Sequence, residues 1–253
     1  SILVKCNNGM FFVTVNEEPT DAQNTFRFYT QKDYDKKYSK KASIIKYLKT
    51  PRSSNTWGAI QAWSWACSKA LDYLYTLKEE IDLNNVAIIG HSRGGKTALL
   101  TAAQDERFVM AVSSCSGNSG AALSRNNTGE TIKDIVSNFP YWFCKNYRKY
   151  KSNEEYLPFD QHQLLGLIAP RYLYVLSATE DAWACPKNEL LSCRYASDIF
   201  EKNNVPGLIA PNDIETDKSY NEGHIGYHCK TGNHSLELRD WKMIIDFFQK
   251  QRN

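Results

Sequence analysis

Between residues 57 and 77, apolar side chains recur at positions 60, 63, 66, 67, 70, 71, 74 and 77. That three-and-four spacing predicts an amphipathic helix with one buried face. After Asp82-Leu83-Asn84-Asn85, a turn, comes the unbroken run Val86-Ala87-Ile88-Ile89, which predicts a short strand buried on both faces. A helix over 94–104, a strand over 108–114 and a strand over 172–176 follow, then helices over 187–203 and 236–251. Residues 115–170 read as a loop with helical pieces. Residues 205–209 form a short apolar segment, with a loop beyond it. Near the start, the turn at 7–9 leads into one strand, Met10 to Val15, and residues 1–6 read as the end of a helix. Residues 16–55 are polar and aromatic with weak periodicity, so a long surface excursion is expected. Strands alternating with helices predict an α/β fold: a mostly parallel sheet with helices on both faces.

Composition narrows this little. The chain of 253 residues has 42% hydrophobic and 23% charged residues and a formal charge of +3, the profile of one folded domain with a sizeable core. The densest basic stretch, residues 32–49, is interrupted by acids and apolar residues, so nucleic acid is not an expected partner. No apolar run reaches the roughly 18 residues of a membrane span, so no membrane partner is expected either. The seven cysteines are scattered without CxxC or zinc-type spacing. No cofactor or metal is called for.

Chemistry enters at Gly90-His91-Ser92-Arg93-Gly94. This is G-x-S-x-G between a predicted strand and a predicted helix, the setting of the nucleophile elbow of α/β-hydrolases. The turn is so tight that side chains at 90 and 94 would clash, and Ser92 is lifted to a helix N-terminus where backbone N–H groups favour an oxyanion. Ser92 then needs a base, and the base needs an orienting acid; in this fold they follow in the order Ser, acid, His. The strand over 172–176 runs into Glu180-Asp181, and Asp181 is the favoured acid. His224, His228 and His234 follow it. His234, directly before the last predicted helix, is the favoured base, whereas His224 and His228 read as loop or supporting histidines. His162 precedes the acid and His91 points away from Ser92 in the tight turn.

The chain resembles the bacterial glucuronoyl esterases, carbohydrate esterase family fifteen. The likeness lies in Gly90–Leu99, in Gly120-Ala121-Ala122-Leu123 with Gly129-Glu130-Thr131, and in Leu157-Pro158-Phe159-Asp160-Gln161-His162. It continues in Glu180-Asp181-Ala182-Trp183-Ala184 and in Ile225-Gly226-Tyr227-His228 leading to Gly232-Asn233-His234. The resemblance implies Ser92 as nucleophile, His234 as base and Arg93 as a contributor to the oxyanion hole. It also implies Lys96 and Glu130 as hydrogen-bonding partners of sugar hydroxyls, and Trp183 as a surface for the glucuronoyl ring. The implied substrate is a 4-O-methyl-glucuronoyl ester linking glucuronoxylan to lignin, and the implied location is extracellular or periplasmic.

Two departures from the family pattern stand out. Many members carry the acid after the strand that follows the elbow helix, where this chain has Ser114-Cys115-Ser116; the role therefore falls on Asp181. Hydrolase sheets also have several strands ahead of the elbow strand, and this sequence predicts one. The expectation is a single catalytic domain over 1–253 that lacks N-terminal strands, completed by an N-terminal segment or a separate chain. Two other readings use the same residues: an acetylxylan or other carbohydrate esterase with the same triad, and a truncated, non-catalytic carbohydrate-binding module.

Overall fold

A computed structural model describes the backbone of residues 2–5 and 11–14, and residues 53–79 and 82–252 with their side chains. The expected excursion over 16–55 lies almost entirely outside the described residues. Strands β1 (Ile2–Lys5), β2 (Phe11–Thr14), β3 (Val86–His91), β4 (Met110–Ser114), β5 (Tyr172–Ala178), β6 (Ser219–Tyr220) and β7 (Ile225–Lys230) form one sheet in the order β1-β2-β3-β4-β5-β7-β6. The five from β2 to β7 across the middle run parallel, and β1 and β6 are antiparallel edges. Helices α1 (Ala59–Leu74), α2 (Arg93–Gln104), α3 (Ile132–Asn138), α4 (Gln161–Gly166), α5 (Pro186–Lys202) and α6 (Leu238–Lys250) connect and cover it.

Both faces of the central strands are covered, which explains their unbroken apolar runs. On one face, Cys67 and Leu71 of α1, Leu99 of α2, Leu165 of α4 and Phe200 of α5 pack over Val86, Ile88, Leu173 and Val175. On the other, Ile244, Phe247 and Phe248 of α6 pack over Ala87, Ile89, Val112 and Tyr174. Each aromatic ring buried this way contributes about 2–3 kcal/mol of hydrophobic stabilisation. The expected mostly parallel sheet with helices on both faces is present.

Two expectations need correction. Residues 2–5 are a strand paired with β2, not the end of a helix, so two strands rather than one precede the elbow strand. A four-residue segment is too short for helical periodicity to be read. Residues 225–230 are the fully buried strand β7, not a loop; its His228 and Lys230 mask the strand signal, because both polar groups find partners inside the protein. Residues 205–209 supply only an isolated bridge, Leu208 against Ile225. The parallel pairing aligns the C-terminal tips of β3, β4, β5 and β7, and loops from those tips meet at one edge, where open α/β sheets place their ligands.

Candidate active site

Ser92 sits between β3 and α2 with φ 56° and ψ −128°, a conformation that non-glycine residues adopt at a cost of roughly 1–3 kcal/mol. The surroundings enforce it. The Ser92 N–H donates to the Ser114 carbonyl at 2.8 Å, and the Ser92 carbonyl accepts from Gly95 N–H at 2.9 Å. A Cβ at Gly90 would stand 1.9 Å from the Gly94 carbonyl oxygen, and one at Gly95 would stand 2.8 Å from Ser116 Cβ. The sequence predicts the need for glycine at 90; the need at 95 comes from the β4 loop packed beneath the elbow. Arg93 opens α2, so its backbone belongs to the helix N-terminus next to Ser92.

Asp181 and His234 converge although 53 residues separate them: His234 Nδ1 lies 2.6 Å from Asp181 Oδ2. Their loops are laced together beyond the end of the β5–β7 pairing. Thr179 N–H donates to the Lys230 carbonyl and Glu180 N–H to the Gly232 carbonyl, both at 2.9 Å. Gly232, at φ +131°, supplies a backbone that side-chain-bearing residues rarely adopt. Asp181 is nearly buried, and its second oxygen accepts from Ala184 N–H at 3.2 Å. Burial pushes its carboxyl up, but the hydrogen bond and charge of His234, the Ala184 N–H and the Cys115 thiol outweigh that and hold it below the usual carboxylate range. Glu180 is exposed. The ring of His91, next to Ser92, lies 4.4 Å from the ring of His234, so His234 and the elbow are neighbours. Burial, then the nearby His234 and Lys230, push His91 down to about 4, and its Nδ1 shares a 2.9 Å hydrogen bond with Ser114 Oγ. It is neutral near pH 7 and packs beside His234.

Two supporting groups escape sequence reasoning. Lys230, almost wholly buried, donates to Asp240 Oδ2 at 2.7 Å and to the Ser235 carbonyl at 2.6 Å, so a buried ion pair grips the residue after His234. Glu189 of α5 is fully buried; its carboxylate accepts from Ser116 N–H at 2.9 Å, Gly117 N–H at 3.0 Å and Ser177 Oγ at 2.6 Å. It fixes the loop after β4 from below. A Lys within the strand-length stretch Ile225–Lys230 is a signal for the first; nothing in the helical spacing of α5 marks the second.

The other histidines are accounted for locally. His228 is buried between Tyr174 and Asp240, at 3.0 and 3.1 Å. His224 bonds the Pro170 carbonyl at 2.6 Å, and His162 stands edge-on to Tyr195. The predicted sugar contacts are brought together in an unforeseen way. Lys96 and Glu130 pair with each other at 2.7 Å, both buried, and Lys96 Nζ also donates to the Ser116 and Asn118 carbonyls. All three donors of Lys96 are thus engaged within the protein. Glu130 N–H donates to the Trp183 carbonyl at 2.8 Å, which joins this pair to the Asp181 loop, and the Trp183 side chain is half-exposed. A strained serine, a carboxylate-held imidazole, a helix N-terminus and an exposed indole beside a buried charge pair are suited to acyl transfer from a polar, ring-shaped substrate.

The family model "Glucuronyl esterase, fungi" matches residues 17–203. Carbohydrate esterase MZ0003, from an unknown prokaryotic organism, is 44% identical over 191 residues, 76% of this chain and 44% of that protein. The 4-O-methyl-glucuronoyl methylesterase of Podospora anserina is 34% identical over 140 residues, 52% of this chain and 29% of its own length. Among solved structures, a promiscuous CE15 esterase from the marine bacterial metagenome superposes with TM-score 0.77 at 40% identity, covering 82% of this chain and 53% of that one. The glucuronoyl esterase from Solibacter usitatus superposes with TM-score 0.77 at 38% identity, covering 83% and 54%. The chain spans about half the length of carbohydrate esterase MZ0003 and of these two solved structures.

Proposed function

Since the chain belongs to the glucuronoyl esterase family, we propose that residues 1–253 act as one catalytic domain, a serine esterase for 4-O-methyl-glucuronoyl esters such as those joining glucuronoxylan to lignin. The observation that carries this reading is the 2.6 Å pair of His234 and Asp181 beside the strained Ser92. Ser92 Oγ attacks the ester carbonyl while His234 takes its proton, and Asp181 holds the imidazole by Nδ1. The oxyanion that forms is stabilised at the helix N-terminus, where the backbone N–H of Arg93, the residue after the nucleophile, is the expected donor. His234 then protonates the leaving alcohol as the tetrahedral intermediate collapses to a glucuronoyl–Ser92 ester. Water, activated by His234, releases the 4-O-methyl-glucuronic acid side chain and restores the serine.

The sugar is held by groups outside the triad. Glu130 accepts from sugar hydroxyls, Lys96 fixes its carboxylate, and Trp183 offers an indole to the apolar face of the ring. No helix among the described residues is long and apolar enough to cross a membrane; an extracellular or periplasmic location suits a polymeric substrate. A second reading, an esterase for acetylated xylan with the same triad, draws support from the promiscuity of the marine relative. Benzyl glucuronate compared with acetylated xylan separates them: higher kcat/KM on the glucuronate supports the first reading, and the reverse order overturns it.

A further inference from the structure

The loop after β4 brings a thiol to the acid–base pair. Cys115 Sγ, a carboxylate oxygen of Asp181 and a ring nitrogen of His234 all lie within 4.8 Å of one another. The residues come from three separate strand tips, so no sequence spacing announces the cluster. We propose that Cys115, Asp181 and His234 form a binding site for one thiophilic divalent cation, zinc or cadmium, and that its occupation switches the esterase off. Binding itself is independent of the esterase reading; the switching rests on it.

The donor set fits the cation. Thiolate sulfur, imidazole nitrogen and carboxylate oxygen are the ligands of tetrahedral zinc, and three protein ligands leave a fourth position for water. Bonds of about 2.0–2.3 Å at tetrahedral angles place neighbouring ligand atoms roughly 3.3–3.6 Å apart. A cation would draw the sulfur inward and part the carboxylate and imidazole, now 2.6 Å apart. Cys115 is 2% and Asp181 5% exposed, so they form a floor, while the 42% exposed His234 side chain is the way in. Calcium and magnesium, which require six or more oxygen ligands or near-octahedral oxygen geometry, do not suit this set.

The protons balance as follows. The starting state is a Cys115 thiol and a His234 protonated on the Nδ1 that faces Asp181. The cation binds sulfur and Nδ1. The thiol proton goes to solvent, and the Nδ1 proton is replaced by one on Nε2, so a neutral histidine stays neutral and one proton is released per cation. Nε2–H cannot accept the serine proton, and attack by Ser92 stops. Nothing is oxidised, and a chelator reverses the change.

The test is a cadmium titration of the chain under reducing conditions, read by the ultraviolet thiolate-to-cadmium charge-transfer band. One saturable band per chain is expected, undiminished by excess calcium or magnesium. Cys115→Ser, nearly isosteric and still able to donate to Asp181, should lose the band. His234→Ala should weaken cadmium binding by at least about 10-fold, the lower end of the loss seen when even an outer-shell partner of a metal is removed. Labelling of Ser92 by a serine-directed phosphonate should slow with cadmium in the wild type but not in Cys115→Ser. A band of equal strength in Cys115→Ser, or no saturable binding up to millimolar cadmium, overturns the site. A chain without esterase activity that still shows the Cys115-dependent band would overturn the esterase reading and leave the site standing.

Discussion

His234 Nδ1 and Asp181 Oδ2 lie 2.6 Å apart, while Glu180, the adjacent acid, turns into solvent and is tied by its backbone to Gly232. The neighbouring carboxylates are therefore unequal: the Asp181 carboxylate carries a hydrogen bond to the imidazole, and Glu180 anchors the loop through its backbone. Asp181→Asn leaves the loop intact but loses the charge that supports the imidazolium and favours the wrong tautomer. Its kcat on benzyl glucuronate is expected to fall about 10⁴-fold, by analogy with the same change in a serine-protease triad, and Glu180→Gln to stay within about twofold. Steady-state kinetics of the two variants check this; a larger loss in Glu180→Gln would transfer the orienting role to Glu180.

The buried Lys96–Glu130 pair makes a different prediction, about the sugar rather than the acyl chemistry. Glu130→Gln keeps the shape of the side chain but removes its charge from Lys96 and weakens acceptance from sugar hydroxyls. For benzyl glucuronate, kcat/KM should fall by at least about 10-fold, equivalent to roughly 1.4 kcal/mol. Hydrolysis of p-nitrophenyl acetate, which carries no sugar, should be nearly unchanged. Equal losses on the two esters would mean that Glu130 supports the triad and not the ring.

Glu189 should leave a mark on stability against pH. Burial pushes its carboxyl up to about 7 from 4.5, against the opposing hydrogen bonds of Ser177 and Gly117. The folded state thus holds this proton more tightly than the unfolded chain. The contribution to stability is fully present below pH 4.5 and is lost as pH rises through about 7. In thermal scans between pH 5 and 8, the Tm of the wild type should fall relative to Glu189→Gln, which keeps an acceptor for the Ser116 and Gly117 N–H groups but cannot ionise. A constant difference across that range would contradict the shift.

How much of this was legible follows from where each signal resides. Ser92 could be read because the elbow is local: Gly90, the strand before it and the helix after it are contiguous. Asp181 and His234 followed from their order in the chain and their place after a buried strand and before the last helix. The strand Ile225–Lys230 could not be read, because His228 and Lys230 are polar residues whose partners, Tyr174 and Asp240, lie 54 and 10 residues away. The mutual pairing of Lys96 and Glu130, 34 residues apart, and the carboxylate bonds of Glu189 are equally products of the tertiary fold. Residues 2–5 show the opposite limit: four residues carry too little pattern to separate strand from helix, and only pairing with Phe11–Thr14 decides it.

The central claim is that Ser92 is the nucleophile of a glucuronoyl esterase, and the most direct measurement is hydrolysis of benzyl glucuronate by the 253-residue chain beside its Ser92→Ala variant. Turnover by the wild type and its abolition in a folded Ser92→Ala protein is the predicted result. Equal rates for the two proteins, or no turnover by either, would contradict it.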